Sequence, residues 1–191
     1  YFAALYAEHK RGPAAIEPIL RQFRAWTLDV SDQGPISLGY RLGQMKGDRR
    51  IFRALVYNKG GIVLHMLRRF VGDQAFFDGL RRFYADWRYR KAGTDDLRIA
   101  MESTSGRNLE RFFERWIYNA TLPSATLATR VENGPNGPRL AIRVEQKQQE
   151  VFDFPLTLTL SYSDRPAATV TIPISDRVTE TTVPLAGTLR D

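Results

Sequence analysis

The chain contains no cysteine, which removes disulfides, thiolate nucleophiles and cysteine metal sites and leaves the redox compartment open. Histidine is nearly as scarce, with only His9 and His65, and neither has a second histidine at the i, i+4 spacing of a zinc-binding helix. Glu8 and His9 are adjacent and point in different directions, so they do not make a metal pair on their own. No run of eighteen apolar residues occurs, which excludes a membrane-spanning helix. No Gly-x-Ser-x-Gly elbow is present, and Gly60-Gly61 lacks the strand and glycine spacing of a phosphate loop. The chain opens at Tyr1-Phe2-Ala3-Ala4-Leu5-Tyr6, without an initiator methionine or a signal-peptide pattern and already in an apolar helical rhythm. That start gives the expectation of a piece of a longer protein.

What is present is the composition of a globular chain: 191 residues, 43% hydrophobic and 26% charged, with a net charge of +7. The basic pairs Arg49-Arg50, Arg68-Arg69 and Arg81-Arg82 are scattered among acidic residues along separate helices. No recognition helix or Gly-aromatic RNA-binding motif accompanies them, so nucleic acid is not expected as a partner.

Two halves with different periods organise the sequence. Residues 1–11 read as the end of a helix, stopped by Gly12 and restarted by Pro13. Ile16, Ile19, Leu20 and Phe23 mark the face of the next helix, to about Trp26. From Thr27 to Asp48 glycine and proline interrupt the pattern, and a long connection without a regular element is expected, with Ser37-Leu38-Gly39-Tyr40 as a candidate cleft lining. Helical periodicity then runs to about residue 118. Asp73 and Thr94 are expected N-caps, Gly106 a helix stop, and Asn108 the cap of a last helix with Leu109, Phe112, Phe113, Trp116 and Ile117 on its face. Beyond Leu122-Pro123 the period becomes 2. Thr126–Val131, Arg139–Glu145, Phe152–Leu160, Ala168–Ile174 and Thr179–Val183 read as strands, with turns at 133–138 and 163–166. The fold class expected is α+β, segregated, with a helical array over 1–122 followed by a small antiparallel β-sandwich over 123–191.

The best active-site candidate is Val56-Tyr57-Asn58-Lys59-Gly60-Gly61 at the mouth of the apolar run Ile62–Val71. Paired glycines lower helix propensity and suggest a helix start or a close approach by a neighbour or ligand. The plainer reading is a helix packed through its glycines, with Tyr57 as a buried hydrogen bonder. A neutral phenol can also donate to an oxygen that becomes an oxyanion during hydrolysis, a bond that strengthens as charge develops. His65 lies eight residues on, about 12 Å along an α-helix and beyond direct reach of Tyr57, and reads as a packing histidine. Asp95, Asp96 and Glu102 read as helix-capping and solubilising carboxylates. Asn119-Ala120-Thr121 is a formal glycosylation sequon that is uninformative without a secretory context.

The segment Val56-Tyr57-Asn58-Lys59-Gly60-Gly61-Ile62-Val63-Leu64-His65-Met66-Leu67-Arg68 resembles the Tyr-x-Lys-Gly helix of the M1 zinc aminopeptidases. The resemblance continues, in order, through Gly72–Phe77, Thr94–Leu97, Met101-Glu102, Ser105–Leu109, Phe112–Trp116 and the exit Asn119–Pro123 into a β-sandwich domain. It implies a thermolysin-like catalytic domain whose zinc is held by His-Glu-x-x-His and a glutamate on the next helix, in a segment that Tyr1-Phe2 resembles at its tail. Those ligands, the general-base glutamate and the Gly-x-Met-x-Asn motif do not occur in this chain. Of the family's catalytic residues, the resemblance carries over only the transition-state-stabilising tyrosine, onto Tyr57. It implies zinc in the full-length parent and none in this fragment, a peptide substrate and the missing N-terminal part of the catalytic domain as partners, and inactivity of the fragment alone. The alternative is a non-catalytic binding or scaffold module on the same fold.

Overall fold

In the computed structural model, which describes residues 1–135 and 137–190 apart from the side chains of Met45 and Lys46, the chain divides into two compact units, Tyr1–Leu122 and Pro123–Asp191. In the first unit, α1 (Phe2–Arg11) ends where Gly12 turns to φ 90°, a conformation costly for any side chain. A 3-10 turn beginning at Pro13 leads into α2 (Ile16–Leu28). Ala4, Ile16 and Leu20 pack together, with Leu5, Ile19 and Ile62 against them.

The stretch expected to lack regular structure is not a plain loop. α2 runs on to Leu28, 3-10 turns follow at Ser31–Gln33 and Ile36–Leu38, and α3 (Tyr40–Lys46) forms a further helix. Gly39 and Gly47, both at positive φ, lie at its two ends, and Leu42 is its fully buried anchor. Two glycines that read as interruptions are helix boundaries here, while Gly43 lies inside α3. α4 (Arg49–Phe52) starts at Asp48, whose carboxylate accepts from the Arg50 N–H at 2.8 Å.

Arg53–Lys59 is wound as a π-helix and passes without a break into α5 (Gly60–Val71). Gly72, at φ 90°, separates α5 from α6 (Asp73–Trp87). Asp73 is the first residue of α6 rather than its cap, because its carboxylate is engaged by Arg68 at 2.7 Å. Likewise Thr94 begins α7 (Thr94–Ser105) from inside, and the cap interaction is the Gly93 N–H donating to Asp96 at 2.7 Å. Gly106, in the left-handed conformation, closes α7. Asn108 Oδ1 accepts from the Glu110 N–H at the start of α8 (Glu110–Ile117), which buries Phe112, Phe113 and Trp116.

The second unit is antiparallel. β1 (Ala125–Gly134), β2 (Gly137–Gln146) and β5 (Val178–Pro184) form one sheet in the order β1-β2-β5, and β3 (Phe154–Leu160) pairs with β4 (Ala168–Ile174) in the other. β1 and β2 stay paired down to Gly134 opposite Gly137; Asn136, inside the turn expected there, lies outside the described residues. Alternate residues Leu140, Ile142 and Val144 of β2 meet Leu160, Ile172 and Ile174 of the second sheet in one apolar core, the two-layer arrangement of a sandwich. The α+β class with its segregated halves is therefore the observed one.

Candidate active site

Tyr57 lies in the π-helical stretch, and its surroundings follow from that winding. Its side chain is 64% exposed, not the buried hydrogen bonder of the plainer reading, and its hydroxyl has no protein partner among the described residues. The Phe52 ring meets the Tyr57 ring edge-on at 5.7 Å and stacks on Tyr40 at 5.2 Å, so the phenol is propped by an aromatic row. Tyr57, Val56, Gly60, Leu64, Tyr1 and Ile36 line a groove of about 540 Å³. Gly60 has open space where a Cβ would stand, whereas a Cβ on Gly61 would lie 3.1 Å from the Phe23 ring. The glycine pair thus serves two purposes: Gly60 leaves the wall beside Tyr57 bare, and Gly61 lets α2 approach α5.

The next two residues are buried although polar. Asn58 is 4% exposed and Lys59 2%. The Asn58 Nδ2 group has no hydrogen-bond partner among the described residues. It belongs to a different cavity from Tyr57, of about 520 Å³, lined by Trp26, Asp29, Ile51, Arg53, Ala54 and Asn58. Lys59 reaches the Asn119 carbonyl at 3.5 Å, and burial holds its ammonium below the usual lysine range. The Thr27 hydroxyl donates to the Ala54 carbonyl at 3.3 Å within the buried interior.

His65 does not join Tyr57. Its Nδ1 lies 3.2 Å from the Tyr1 hydroxyl, a pairing that sequence spacing gave no hint of, because Tyr1 and His65 are distant in the chain. Burial, reinforced by Arg69 and Arg68, pushes His65 down to about 4. Arg68 binds Glu8 and Asp73, each at 2.7 Å, and so ties α1 and α6 to α5. The Asp95, Asp96 and Glu102 carboxylates are all in structural use. Asp96 accepts from Gly93, Arg98 bridges Asp95 and Glu102, and Glu102 also accepts from the Leu109 N–H at 2.8 Å.

The Peptidase family M1 domain model matches residues 16–116, more than half of the chain. The chain belongs to peptidase family M1. Aminopeptidase N of Lactococcus lactis subsp. lactis is 36% identical over 70 residues, covering 37% of this chain and 8% of the relative. Tricorn protease-interacting factor F2 of Thermoplasma acidophilum is 35% identical over 118 residues, covering 62% of this chain and 14% of that protein. A crystal structure of Legionella pneumophila aminopeptidase A in complex with aspartic acid superposes with a TM-score of 0.57 at 18% identity, over 71% of this chain and 16% of that one, a likeness of fold. The chain therefore spans only about 8 to 16% of the length of these M1-related proteins. The M1 match contains the whole π-helical stretch and α5, so Tyr57 lies inside the family's own segment.

M1 peptidases are zinc-dependent in general, and the residues described here do not fit a zinc site. His9 is exposed, His65 is committed to Tyr1, and no group of three or more His, Cys, Asp or Glu among the described residues is placed to hold a metal. No helix among them is long and apolar enough to cross a membrane.

Proposed function

We propose that this chain is part of a peptidase that releases N-terminal residues from peptides, and that Tyr57 is its contribution to the reacting centre. The phenol donates a hydrogen bond to the carbonyl oxygen of the scissile peptide as that oxygen gains charge in the tetrahedral intermediate. The bond is stronger to the oxyanion than to the ground-state carbonyl, so it lowers the barrier rather than only tightening binding. The observation that carries this reading is an exposed, unpartnered phenol over an open groove, in a segment matching the M1 family. The Gly60 side of the groove leaves room for extended backbone to pass beside the ring. Metal, nucleophile and general base are supplied from outside these residues, so the chain alone is inactive and takes peptide only together with the rest of the catalytic domain.

Replacing Tyr57 by Phe in the full-length protein is expected to lower kcat by about 10²–10³-fold with little change in KM, the size typical of losing one oxyanion donor. An unchanged kcat would remove the role. For the 191-residue chain by itself, metal analysis after dialysis is expected to find no stoichiometric zinc; one tightly held zinc per chain would refute the division of labour.

A further inference from the structure

The winding around Tyr57 is held from outside. A π-helical stretch is rare and occurs mostly as a bulge inside an α-helix, a departure that a side chain acting on the backbone ladder can hold. The stretch Arg53–Lys59 has such a hold at each end. The Thr27 hydroxyl, from the last turns of α2, bonds the Ala54 carbonyl at 3.3 Å, and the Lys59 ammonium reaches the Asn119 carbonyl at 3.5 Å. Tyr57 lies between these two anchored residues.

The Thr27 bond is unusual for a helical threonine. A hydroxyl in a helix normally turns back to a carbonyl three or four residues earlier in its own helix. Thr27, only 6% exposed, instead donates across to another element. Each residue added to a helical turn rotates the register by about 100°. The winding therefore decides which residues share a side. As built, Arg53, Ala54 and Asn58 face the cavity beside Trp26, while Val56, Tyr57 and Gly60 face the groove. Unwinding to α would redistribute them and swing the phenol away from the groove's axis.

We propose that Thr27 is a positioning residue: by holding the Ala54 carbonyl it fixes the π-helical turn that aims the Tyr57 phenol into the groove. Thr27 lines neither cavity and acts through backbone alone. The inference rests on the oxyanion role of Tyr57, and the test separates the two. In the full-length protein, kcat and KM are measured for wild type, Thr27→Val, Tyr57→Phe and the double variant, with Thr27→Ser alongside and thermal melting on each. Thr27→Val is expected to lower kcat about tenfold at nearly constant KM, the cost of a small misplacement of a reacting group. In the Tyr57→Phe background the same change is expected to cost nothing further, because there is no phenolic donor left to aim. Thr27→Ser, which keeps the hydroxyl, is expected to recover kcat to within about threefold of wild type. If Tyr57→Phe leaves kcat intact, the role of Tyr57 and this inference both fall. If Tyr57→Phe lowers kcat but Thr27→Val is silent, or costs the same factor in both backgrounds, the role of Tyr57 stands and the inference is overturned. Should Thr27→Val melt below the assay temperature, Thr27→Ala takes its place in the same cycle.

Discussion

Two buried amide side chains, one in each unit, separate structure from function. Gln146 at the end of β2 is 1% exposed and fully employed. Its Nε2 donates to the Phe152 carbonyl at 2.8 Å and the Asp176 carbonyl at 3.1 Å, while its Oε1 accepts from the Phe152 N–H at 2.9 Å and from Gln148 at 2.6 Å. Asn58 in the π-helical stretch is as deeply placed, yet its Nδ2 has no partner among the described residues. Folding alone selects against such a group, since a stranded buried donor costs about 1–3 kcal/mol. The β unit is not free of such atoms, since Arg139 Nε and Thr179 Oγ1 are buried without a hydrogen-bond partner among the described residues, but they lie apart, on β2 and β5. The helical unit tolerates an orphan amide, a scarcely paired lysine and a non-α turn around one exposed tyrosine. What sets the helical unit apart is that several departures gather in one stretch, Arg53–Lys59, which is how a site differs from a scaffold.

The largest expected effect tests the satisfied amide. Gln146→Leu removes both hydrogen bonds that this side chain makes to the Phe152 backbone and loosens the 146–152 bend, and is expected to destabilise the β unit by about 3–5 kcal/mol. Hydrogen exchange of the β2 and β5 amides reads this locally, because all three tryptophans, Trp26, Trp87 and Trp116, belong to the helical unit. Exchange that stays slow would mean that the bend is held by something other than this side chain.

A second effect belongs to the helical unit alone. His65 sits at about 4 when folded, against about 6.5 unfolded, so between those values the unfolded chain takes up a proton that the folded one refuses. Stability contributed by neutral His65 is thus present above pH 6.5 and lost as pH falls towards 4. The full shift corresponds to about 3.4 kcal/mol, and its partial exposure reduces that to about 2. Denaturant midpoints followed by tryptophan fluorescence are expected to drop over this window and to flatten in His65→Gln. The β unit contains neither of the two histidines, and its amide protection factors, which correct for the slower intrinsic exchange at lower pH, are expected to hold steady from pH 6.5 to about 5. A parallel drop in both units would dissolve the distinction between them.

How far the sequence disclosed these features depended on the range of the interactions involved. Helix faces such as Phe112, Phe113 and Trp116, and alternations such as Leu140, Ile142 and Val144, follow from local periodicity and were legible, as was the α+β class. Tyr57 was legible as a candidate through its motif. The winding around it was not, because periodicity presumes 3.6 residues per turn and the π-helical stretch is bonded by Thr27, 27 residues away from Ala54. Two polar residues, Asn58 and Lys59, in front of an apolar helix were the available signal that the pattern breaks there. α3 was hidden for the opposite reason: within a run of glycines, Leu42 is its one deeply buried anchor among the described residues.

A smaller effect inverts the first. Asn58→Leu removes the orphan donor from its buried position and is expected to stabilise the helical unit by about 1 kcal/mol, seen as a higher tryptophan-monitored midpoint. The same chemical change that damages the β unit at Gln146 would then improve the helical one. A loss of stability comparable with that of Gln146→Leu would show that the Asn58 amide is structural after all, and that the two amides do not differ in kind.

The smallest expected effect tests the outer face of the β unit. Arg143 lies directly opposite Glu180 across β2 and β5, with Nε 3.0 Å from its carboxylate, and also meets Glu145 at 2.8 Å. All of these groups are partly exposed, so water already solvates them and holding the long side chains in place offsets much of the attraction. Arg143→Gln is expected to shift the β unit by about 0.5 kcal/mol, and less at high salt. Its near neighbour Gln146, without any charge, is expected to matter several times more, because burial sets the cost of losing a hydrogen bond. A loss above about 2 kcal/mol at Arg143 would reverse that order and make the surface charge ladder, rather than the satisfied amide, the polar fastening of the sandwich.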